Sequence, residues 1–465
     1  MNSHMIRLEY NIPSQVAQLE WVSDVIFNQW LGLCVKPLLV NRPGLRIAFG
    51  ESSLELGDAY WVKKYDEVIS IERLPEMPLK QWAPSESGLK VNLIHPTIPI
   101  LYGSSGFHLV RPGLGKLNLD VLGSAYLMLS RWEEIIIPER DNHDRFPAVA
   151  SVAYRGGFLE RPLIDEYVEI LWSAIQVVCP NLVRKIGKFQ MAISHDVDFP
   201  SRYGYGPLGQ VVRRGFVDLI KKRDPYTAMM GMVARYIKPR NLLRKDPYNT
   251  FDWLMSQSDA LGIKSAFYFM CGRSNPQYDG PYELEDPAVR KLMTNIHSRG
   301  HECGLHPSYE TYLKPDLLIE EALRLKKACE DLGIQQSTWG GRMHYLRWKT
   351  PETLYGWEQA GFDYESTLGY ADRPGFRCGT CHEFSAFDPV ARKQLRVRIR
   401  PLIVMECSVI LDQYLGLGVG DTAKSKMLEL KQACRAVGGT FTFLWHNSQF
   451  LNEDWKRLYR DILEG

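Results

Sequence analysis

Short apolar runs alternate with amphipathic stretches along the chain from about residue 189 onward. A short apolar run predicts a buried strand, whereas apolar residues spaced by three and four positions predict a helix. Glycines follow several of the predicted helices, as they commonly do at helix C-termini. The predicted strands lie at 190–194, 264–270, 302–306, within 395–410 and at 440–445, and the predicted helices at 251–260, 287–298, 315–332, 350–361 and 424–437.

This alternation is typical of repeated strand–helix units, which build parallel sheets and barrels. We count about seven units, a number that favours a closed or nearly closed barrel over an open sheet. The prediction is an α/β fold with a distorted (β/α)7-type barrel over residues 189–465. Residues 5–188 lack the alternation and are expected to form a smaller mixed α/β domain of unknown role. Residues 1–4 are interpreted as a cloning remnant.

Ionisable residues follow the ends of four predicted strands. In a barrel, the C-terminal ends of the strands carry the active groups. Two acids at positions i and i+2 of a strand point to the same face, so one can hold a metal while the other accepts a proton. A single charged strand end could equally form salt bridges only, but four of them favour a metal-dependent hydrolase. These residues are Asp196 and Asp198, then His306, then Arg342 with His344 and Tyr345, and finally His446.

The order of these residues resembles the polysaccharide deacetylase superfamily, the metal-dependent N- or O-deacetylases of chitin, peptidoglycan and related glycans. Asp196-Val197-Asp198 matches the form of the first motif in which one residue separates two acids. The resemblance implies that Asp196 is the catalytic base and Asp198 a metal ligand. Residues 300–306, Gly-His-Glu-Cys-Gly-Leu-His, fit the second motif, which implies that His306 binds the metal.

Two later motifs extend the resemblance over residues 188–465. Arg342 and Tyr345 match the third motif, in which the Arg orients the base and a backbone N–H near the Tyr helps to bind the oxyanion. Residues 444–446, Leu-Trp-His, match the fifth motif and imply that His446 is the general acid. Residues 306–309, 342–347 and 375–377 resemble a branch of the superfamily in which such a barrel follows an N-terminal domain of unknown role.

One position departs from the family pattern. The second metal-binding histidine of the family lies four residues after the first, but residue 310 is Glu310. Because a carboxylate can bind zinc, Asp198, His306 and Glu310 could form a three-ligand site with one open position. His344 or His195 could instead supply the third ligand, or the site has lost its metal. The expected cofactor is a divalent metal ion, zinc in the first place.

These residues predict a hydrolase. The expected function is a metal-dependent carbohydrate deacetylase that removes N- or O-acetyl groups from a cell-envelope or surface polysaccharide. Its expected partner is an acetylated glycan or a lipid-linked sugar. The alternative is a catalytically inactive deacetylase-like protein that binds a glycan or a lipid. The formal net charge of +2 gives no preference for an anionic partner, and nucleic acid is not expected.

The nine cysteines are expected to be reduced thiols, because their number is odd and no secretory signal precedes them. Residues 378–382, Cys-Gly-Thr-Cys-His, match a haem-attachment pattern or a pair of cysteines with a redox or zinc role, although a packed loop is the alternative. No apolar run has the length of a membrane span. The expected location is therefore cytoplasmic. The charged stretch 129–146 is expected to be an ion-paired surface or a domain interface.

A basic insertion is predicted at 201–248, after the first barrel strand. Residues 201–245 contain eleven basic residues and only two acids, with apolar residues between them at helical spacing. Such a segment suits peripheral attachment to an anionic membrane surface, which would present the cleft to a lipid-linked sugar. The alternative is a basic face that only contacts solvent.

Overall fold

The chain forms two large sheets around one continuous hydrophobic core. The computed structural model describes residues 6–12, 15–62, 69–205, 209 and 241–465. Residues 6–188 form what we call the N-terminal region, which holds a six-stranded sheet. A nine-stranded sheet begins at residue 190. The basic insertion predicted at 201–248 lies for the most part outside the described residues.

The six-stranded sheet of the N-terminal region has the order β2-β1-β3-β4-β8-β7, and β5 pairs with β6 separately. Its strands are β1 (Ile6–Tyr10), β2 (Val35–Leu39), β3 (Leu45–Phe49), β4 (Ser52–Leu56), β5 (Lys80–Trp82), β6 (Ile98–Ile100), β7 (Gly103–Arg111) and β8 (Leu114–Leu119). The α-helices of this region are Val16–Ser23, Val121–Ser130, Glu133–Ile136, Val152–Arg155 and Leu163–Val178, and Asp24–Trp30 is a π-helix.

The nine-stranded sheet alternates with helices, as its sequence pattern predicts. Its strands are β9 (Gln190–Val197), β10 (Ala266–Met270), β11 (Glu302–His306), β12 (Gly340–Gly341), β13 (Tyr364–Glu365), β14 (Phe384–Asp388), β15 (Lys393–Ile399), β16 (Val404–Met405) and β17 (Thr440–Leu444). The α-helices described in this part of the chain are Phe251–Ala260, Pro287–Ser298, Pro315–Asp331, Glu352–Gln359, Glu406–Ile410, Asp421–Ala436 and Glu453–Glu464.

The strand order makes this sheet an open barrel. The order is β14-β15-β13-β12-β11-β10-β9-β17-β16, and every pair is parallel except β14 with β15. Pairing of β15 with β16 would close the ring, but no such pair forms among the described strands. The antiparallel strand β14 instead pairs with the edge of β15 that closure would use. The fold is therefore mixed α/β with a curled, open sheet. This agrees with the predicted α/β class and with a barrel that is not fully closed, whereas the predicted seven-unit count is not reproduced by the nine strands.

The N-terminal region covers the edge that β14 exposes. Trp21 donates its indole Nε1–H to the carbonyl oxygen of Ser385, 2.9 Å away, and Trp30 donates in the same way to Glu383, also at 2.9 Å. The Trp21 ring also stacks on Phe387 with 4.7 Å between ring centroids. An uncovered edge strand would present unpaired backbone groups to other chains. The two tryptophans therefore satisfy part of this edge within the same molecule.

A buried ionic network joins the N-terminal region to the barrel within the charged stretch 129–146. Glu134 accepts hydrogen bonds from Arg131 at 2.9 Å and from Arg377 at 2.6 Å. No side chain of these three is more than 5% exposed. Burial alone would raise the pKa of Glu134, but Arg377 and Arg131 outweigh it and lower the pKa to about 2. The carboxylate is therefore ionised, and it holds two buried guanidinium groups from opposite sides of the interface.

The Cys378–His382 loop also lies in this interface. Cys378 and Cys381 are free and fully buried, and burial raises the pKa of both thiols, that of Cys378 to about 12. Asp165 of the N-terminal region accepts a hydrogen bond from the backbone N–H of Cys381 at 3.0 Å. Because thiolates carry redox and metal chemistry, this placement favours the packed loop over the redox and haem interpretations.

The described residues contain no candidate for a membrane-spanning helix. None of the helices within these ranges combines sufficient length and apolar character to span a bilayer.

The ionic network gives a stability prediction. Glu134→Ala should lower the free energy of unfolding by about 3–5 kcal/mol, because it leaves the buried guanidinium of Arg377 without its carboxylate partner, while Arg131 keeps Glu133. Urea unfolding followed by circular dichroism measures the change. Glu453→Ala is the matched control, since it removes an exposed pair with Lys456, and it should leave the unfolding midpoint unchanged. Equal midpoints for Glu134→Ala and the wild type would contradict the role of the network.

Candidate metal centre and active site

Strand β9 presents two acids to the inside of the curled sheet. Asp196 pairs in register with Tyr268 of β10, and Asp198 directly follows the last residue of the strand. The residue between Ser194 and Asp196, His195, points to the opposite face, because side chains alternate along a strand. The alternation therefore brings Asp196 and Asp198 to one side, as their spacing predicts.

Three side chains from three strand ends converge on one point. The metal-binding atoms of Asp198, His306 and His344 lie within 4.8 Å of one another. His306 Nε2 is 3.2 Å from Asp198 Oδ1, and His344 Nε2 is 3.8 Å from the same oxygen. The sequence left Glu310, His344 and His195 as alternatives for the third ligand. Of these, the structure brings His344 to this point.

Both histidines of this cluster are oriented by an acceptor on Nδ1. His306 Nδ1 lies 2.6 Å from the carbonyl oxygen of Arg342, and His344 Nδ1 lies 2.9 Å from Asp279 Oδ1. A carbonyl or carboxylate oxygen only accepts, so the proton of each neutral ring is on Nδ1. The Nε2 atoms are then free to bind a metal, the usual arrangement of ligating histidines.

The cluster meets the requirements of a divalent metal ion. His306 Nε2 and Asp198 Oδ1 are buried and form no hydrogen bond with any described residue. An unsatisfied buried polar atom is costly, and a cation between these atoms would satisfy both. Two imidazoles and one carboxylate are a donor set typical of catalytic zinc, which leaves a further position open. The residues present therefore fit the metal that the sequence predicts.

The other two candidate ligands lie elsewhere. Glu310 accepts a hydrogen bond from Asn275 Nδ2 at 3.4 Å and lies 3.9 Å from Arg347, and it is not part of the cluster. His195 is fully buried, with its Nδ1 2.7 Å from the carbonyl oxygen of Trp445 and its ring packed on Phe267. Burial lowers the pKa of His195 to about 4, so this histidine is a neutral part of the core.

The fully buried Arg342 fixes the position of Asp196. Its Nη1 donates to Asp196 Oδ1 at 2.8 Å and its Nη2 to Ser194 Oγ at 2.9 Å, while Nε donates to the carbonyl oxygen of Ser366 at 2.8 Å. The guanidinium is thus held at three points. The second carboxylate oxygen, Asp196 Oδ2, lies 3.8 Å from His306 Nε2, beside the candidate metal position.

A second carboxylate orients His446 beyond the end of β17. Glu406 Oε1 lies 2.6 Å from His446 Nδ1 and also accepts from the His446 backbone N–H at 3.0 Å. His446 Nε2 then lies 3.8 Å from Asp198 Oδ2. Burial alone would lower the pKa of His446, but the Glu406 charge outweighs it and raises the pKa well above the usual value. The arrangement favours the protonated imidazolium, the form that a general acid needs.

The segment after β12 has a strained backbone at Tyr345. Tyr345 and Leu346 have φ angles of +60° and +55°, the left-handed region that non-glycine residues rarely adopt. Arg145 of the N-terminal region donates from Nη1 to the Tyr345 carbonyl oxygen at 3.0 Å. The Tyr345 ring contacts His344 at 4.7 Å between centroids. The predicted Tyr345 thus lies beside the cluster, and the N-terminal region holds its backbone.

Two carboxylates of this site, Asp279 and Glu406, are missing from the sequence prediction. Glu406 directly follows β16 and could have been found as a further strand end, had the stretch 395–410 been divided into its separate strands. Asp279 lies well beyond the end of β10, within a long loop, and no local pattern marks it.

Comparisons with known proteins give remote likenesses. Residues 8–180 match a family of unknown function, DUF7033. No curated protein matches the sequence. One similar solved structure, from Mycobacterium smegmatis, is named for a polysaccharide deacetylase, with 15% identity, 60% of this chain and 84% of that chain covered and a TM-score of 0.39. Another is Puue allantoinase, with 10% identity, the same coverages and a TM-score of 0.36.

The geometry predicts which side chains hold the metal. His344→Ala and His306→Ala should each lose bound metal, because each removes one of three converging ligands. Glu310→Ala should keep the wild-type metal content and is the matched control. Inductively coupled plasma mass spectrometry after zinc loading and dialysis measures the zinc per chain. Metal loss in Glu310→Ala together with retention in His344→Ala would reverse the assignment.

Proposed function

We propose that the protein is a metal-dependent carbohydrate deacetylase that removes N- or O-acetyl groups from a cell-envelope or surface polysaccharide. The observation that carries the proposal is the convergence of Asp198, His306 and His344 on one point beside Asp196 and His446. A base, an acid and a three-ligand metal position within one cluster are the groups that amide or ester hydrolysis requires.

The residues have separate tasks in this proposal. When bound by Asp198, His306 and His344, a divalent metal supplies the Lewis acidity that polarises the acetyl carbonyl and activates water at neutral pH. Asp196 accepts the proton of the water molecule whose oxygen bonds to the carbonyl carbon. His446 gives its proton to the leaving nitrogen or oxygen as the bond from that atom to the carbonyl carbon breaks. The products are acetate and a free amine or hydroxyl group.

The substrate class follows from the motifs rather than from the metal geometry. The order of the acid pair, His306, Arg342 and His446 resembles that of glycan deacetylases. Recruitment of a lipid-linked sugar at an anionic membrane surface, through residues 201–245, is part of the proposal and rests on the charge pattern of that segment alone.

A catalytically inactive glycan- or lipid-binding protein is the second candidate. The sequence feature that favours it is Glu310, which occupies the position of a family histidine. His344 supplies a third ligand atom in its place, which supports the catalytic candidate. Acetate release from N-acetylglucosamine oligomers and from O-acetylated xylan separates the two. A catalyst releases acetate and stops when the metal is chelated, whereas a binding protein retains the glycan and releases none.

The acid pair gives a prediction about turnover. Asp196→Asn should lower kcat by a hundredfold or more, because an amide cannot accept the proton of water, while zinc content stays at the wild-type value. Asp198→Ala should lose both zinc and activity. Acetate release and zinc per chain are measured on the same samples. Near wild-type turnover in Asp196→Asn would show that this residue is not the base.

His446 gives a second prediction. His446→Ala should lower kcat by about a hundredfold or more without loss of zinc, because the variant lacks the proton donor for the leaving group. His297→Ala changes a histidine near the end of helix Pro287–Ser298 that is not part of the cluster, and this control should match the wild type. Loss of zinc in His446→Ala would instead make this histidine a metal ligand.

A further inference from the structure

One loop of the N-terminal region, residues 141–145, contacts Tyr345 beside the candidate metal centre. Asp141 gives the loop its shape, because its Oδ1 accepts from the backbone N–H groups of His143 at 2.9 Å and Arg145 at 3.0 Å. Asp144 takes a left-handed conformation, with φ of +56°. These hydrogen bonds within the loop define its conformation independently of its contacts with the barrel.

Several hydrogen bonds attach the loop to the barrel. Arg347 Nε donates to the His143 carbonyl oxygen at 2.8 Å. The Tyr312 hydroxyl donates to Asp144 Oδ2 at 2.6 Å, and Arg145 Nη1 donates to the Tyr345 carbonyl oxygen at 3.0 Å. These bonds hold the His143 side chain in a defined place next to the candidate metal centre.

His143 completes a cluster of rings that we call the aromatic wall (His143, Tyr278, Tyr309 and Tyr345). Its centroid lies 4.6 Å from that of Tyr345 and 5.4 Å from that of Tyr278. Its Nδ1 is 2.9 Å from the Tyr309 hydroxyl, and Tyr309 lies 4.4 Å from Tyr278 between centroids. His143, Tyr278 and Tyr345 are half-buried, so each exposes part of a ring.

The aromatic wall is continuous with the candidate metal centre. The Tyr345 ring contacts His344 at 4.7 Å between centroids, and His344 is one of the three converging ligands. A molecule lying on the wall would therefore be adjacent to the group that reacts at the metal. The wall itself holds no acid or base of the proposed reaction.

We propose that the aromatic wall is a sugar-binding subsite, and that the N-terminal region thereby takes part in substrate recognition. The identity of the reacting sugar rests on the proposed function. A pyranose ring has apolar faces of C–H groups and hydroxyls at its rim, which suits half-exposed aromatic rings with polar tips. The subsite accepts the sugar next to the reacting one, so the preferred substrate is an oligosaccharide.

The charges around the wall favour a neutral sugar over an anionic group. Arg145 lies 2.7 Å from Asp141 Oδ2, and it also donates to the Tyr345 carbonyl. Arg347 donates to the carbonyl oxygens of His143 and Tyr309, and its guanidinium stacks over the Tyr309 ring at 3.9 Å. Both guanidinium groups are thus engaged in holding the loop. Recognition here depends on ring contact, not on charge.

Steady-state kinetics test the subsite with two substrates, the tetramer and the monomer of N-acetylglucosamine. His143→Ala should raise KM for the tetramer about tenfold, with a smaller effect on the monomer and an unchanged zinc content. His143→Phe retains a ring and should recover most of the tetramer affinity. His108→Ala, which changes an exposed histidine of strand β7 in the same region, is the matched control and should behave as the wild type.

Saturation-transfer NMR with the tetramer gives a readout that needs no turnover. Transfer to the sugar protons should weaken in His143→Ala and in Tyr278→Ala relative to the wild type. Ring-dependent binding without any acetate release would refute the proposed function and retain the subsite. Acetate release with unchanged tetramer KM and unchanged transfer in both variants would overturn the subsite and retain the proposed function.

Discussion

The buried guanidinium of Arg342 is the interaction on which the site depends. The three nitrogen atoms of the guanidinium donate hydrogen bonds to Ser194 and Asp196 of β9 and to the backbone just beyond β13. The backbone carbonyl oxygen of Arg342 orients His306 at the end of β11. A buried charge without these partners would be strongly destabilising, so the partners must all be in place. The same residue therefore fixes the candidate base, Asp196, and one candidate metal ligand, His306, and it couples the geometry of the two.

The sequence predicted the strand ends of the barrel better than the contacts between them. The acid pair, His306 and His446 lie where the hydrophobic pattern ends, and they meet in the fold because parallel strands end at one edge. The third ligand could not be chosen, since the motif pointed to Glu310 and only the tertiary structure turns His344 inward. The sequence did not decide whether the barrel is closed or only nearly closed, because periodicity marks strands without showing which edges pair.

Two carboxylates that lie outside the strands orient two histidines of the candidate site. Asp279 and Glu406 hold the Nδ1 atoms of His344 and His446, and so decide which nitrogen of each ring is available. Such a role exists only after folding, because it depends on one acceptor meeting one ring. It therefore leaves little trace in a single sequence, in contrast to the acid pair, whose i, i+2 spacing is itself the signal.

The exposed edge of the open barrel explains why the N-terminal region packs against the sheet that carries the candidate site. A closed barrel has no edges to protect, whereas β14 leaves one that Trp21 and Trp30 cover. That docking buries the network of Glu134 and Arg377, and farther along the same stretch it brings the His143 ring against Tyr345, next to the candidate metal centre. The docking that covers the exposed edge thus also places the His143 ring beside the candidate metal centre, which links the stability of the interface to the geometry of the candidate site.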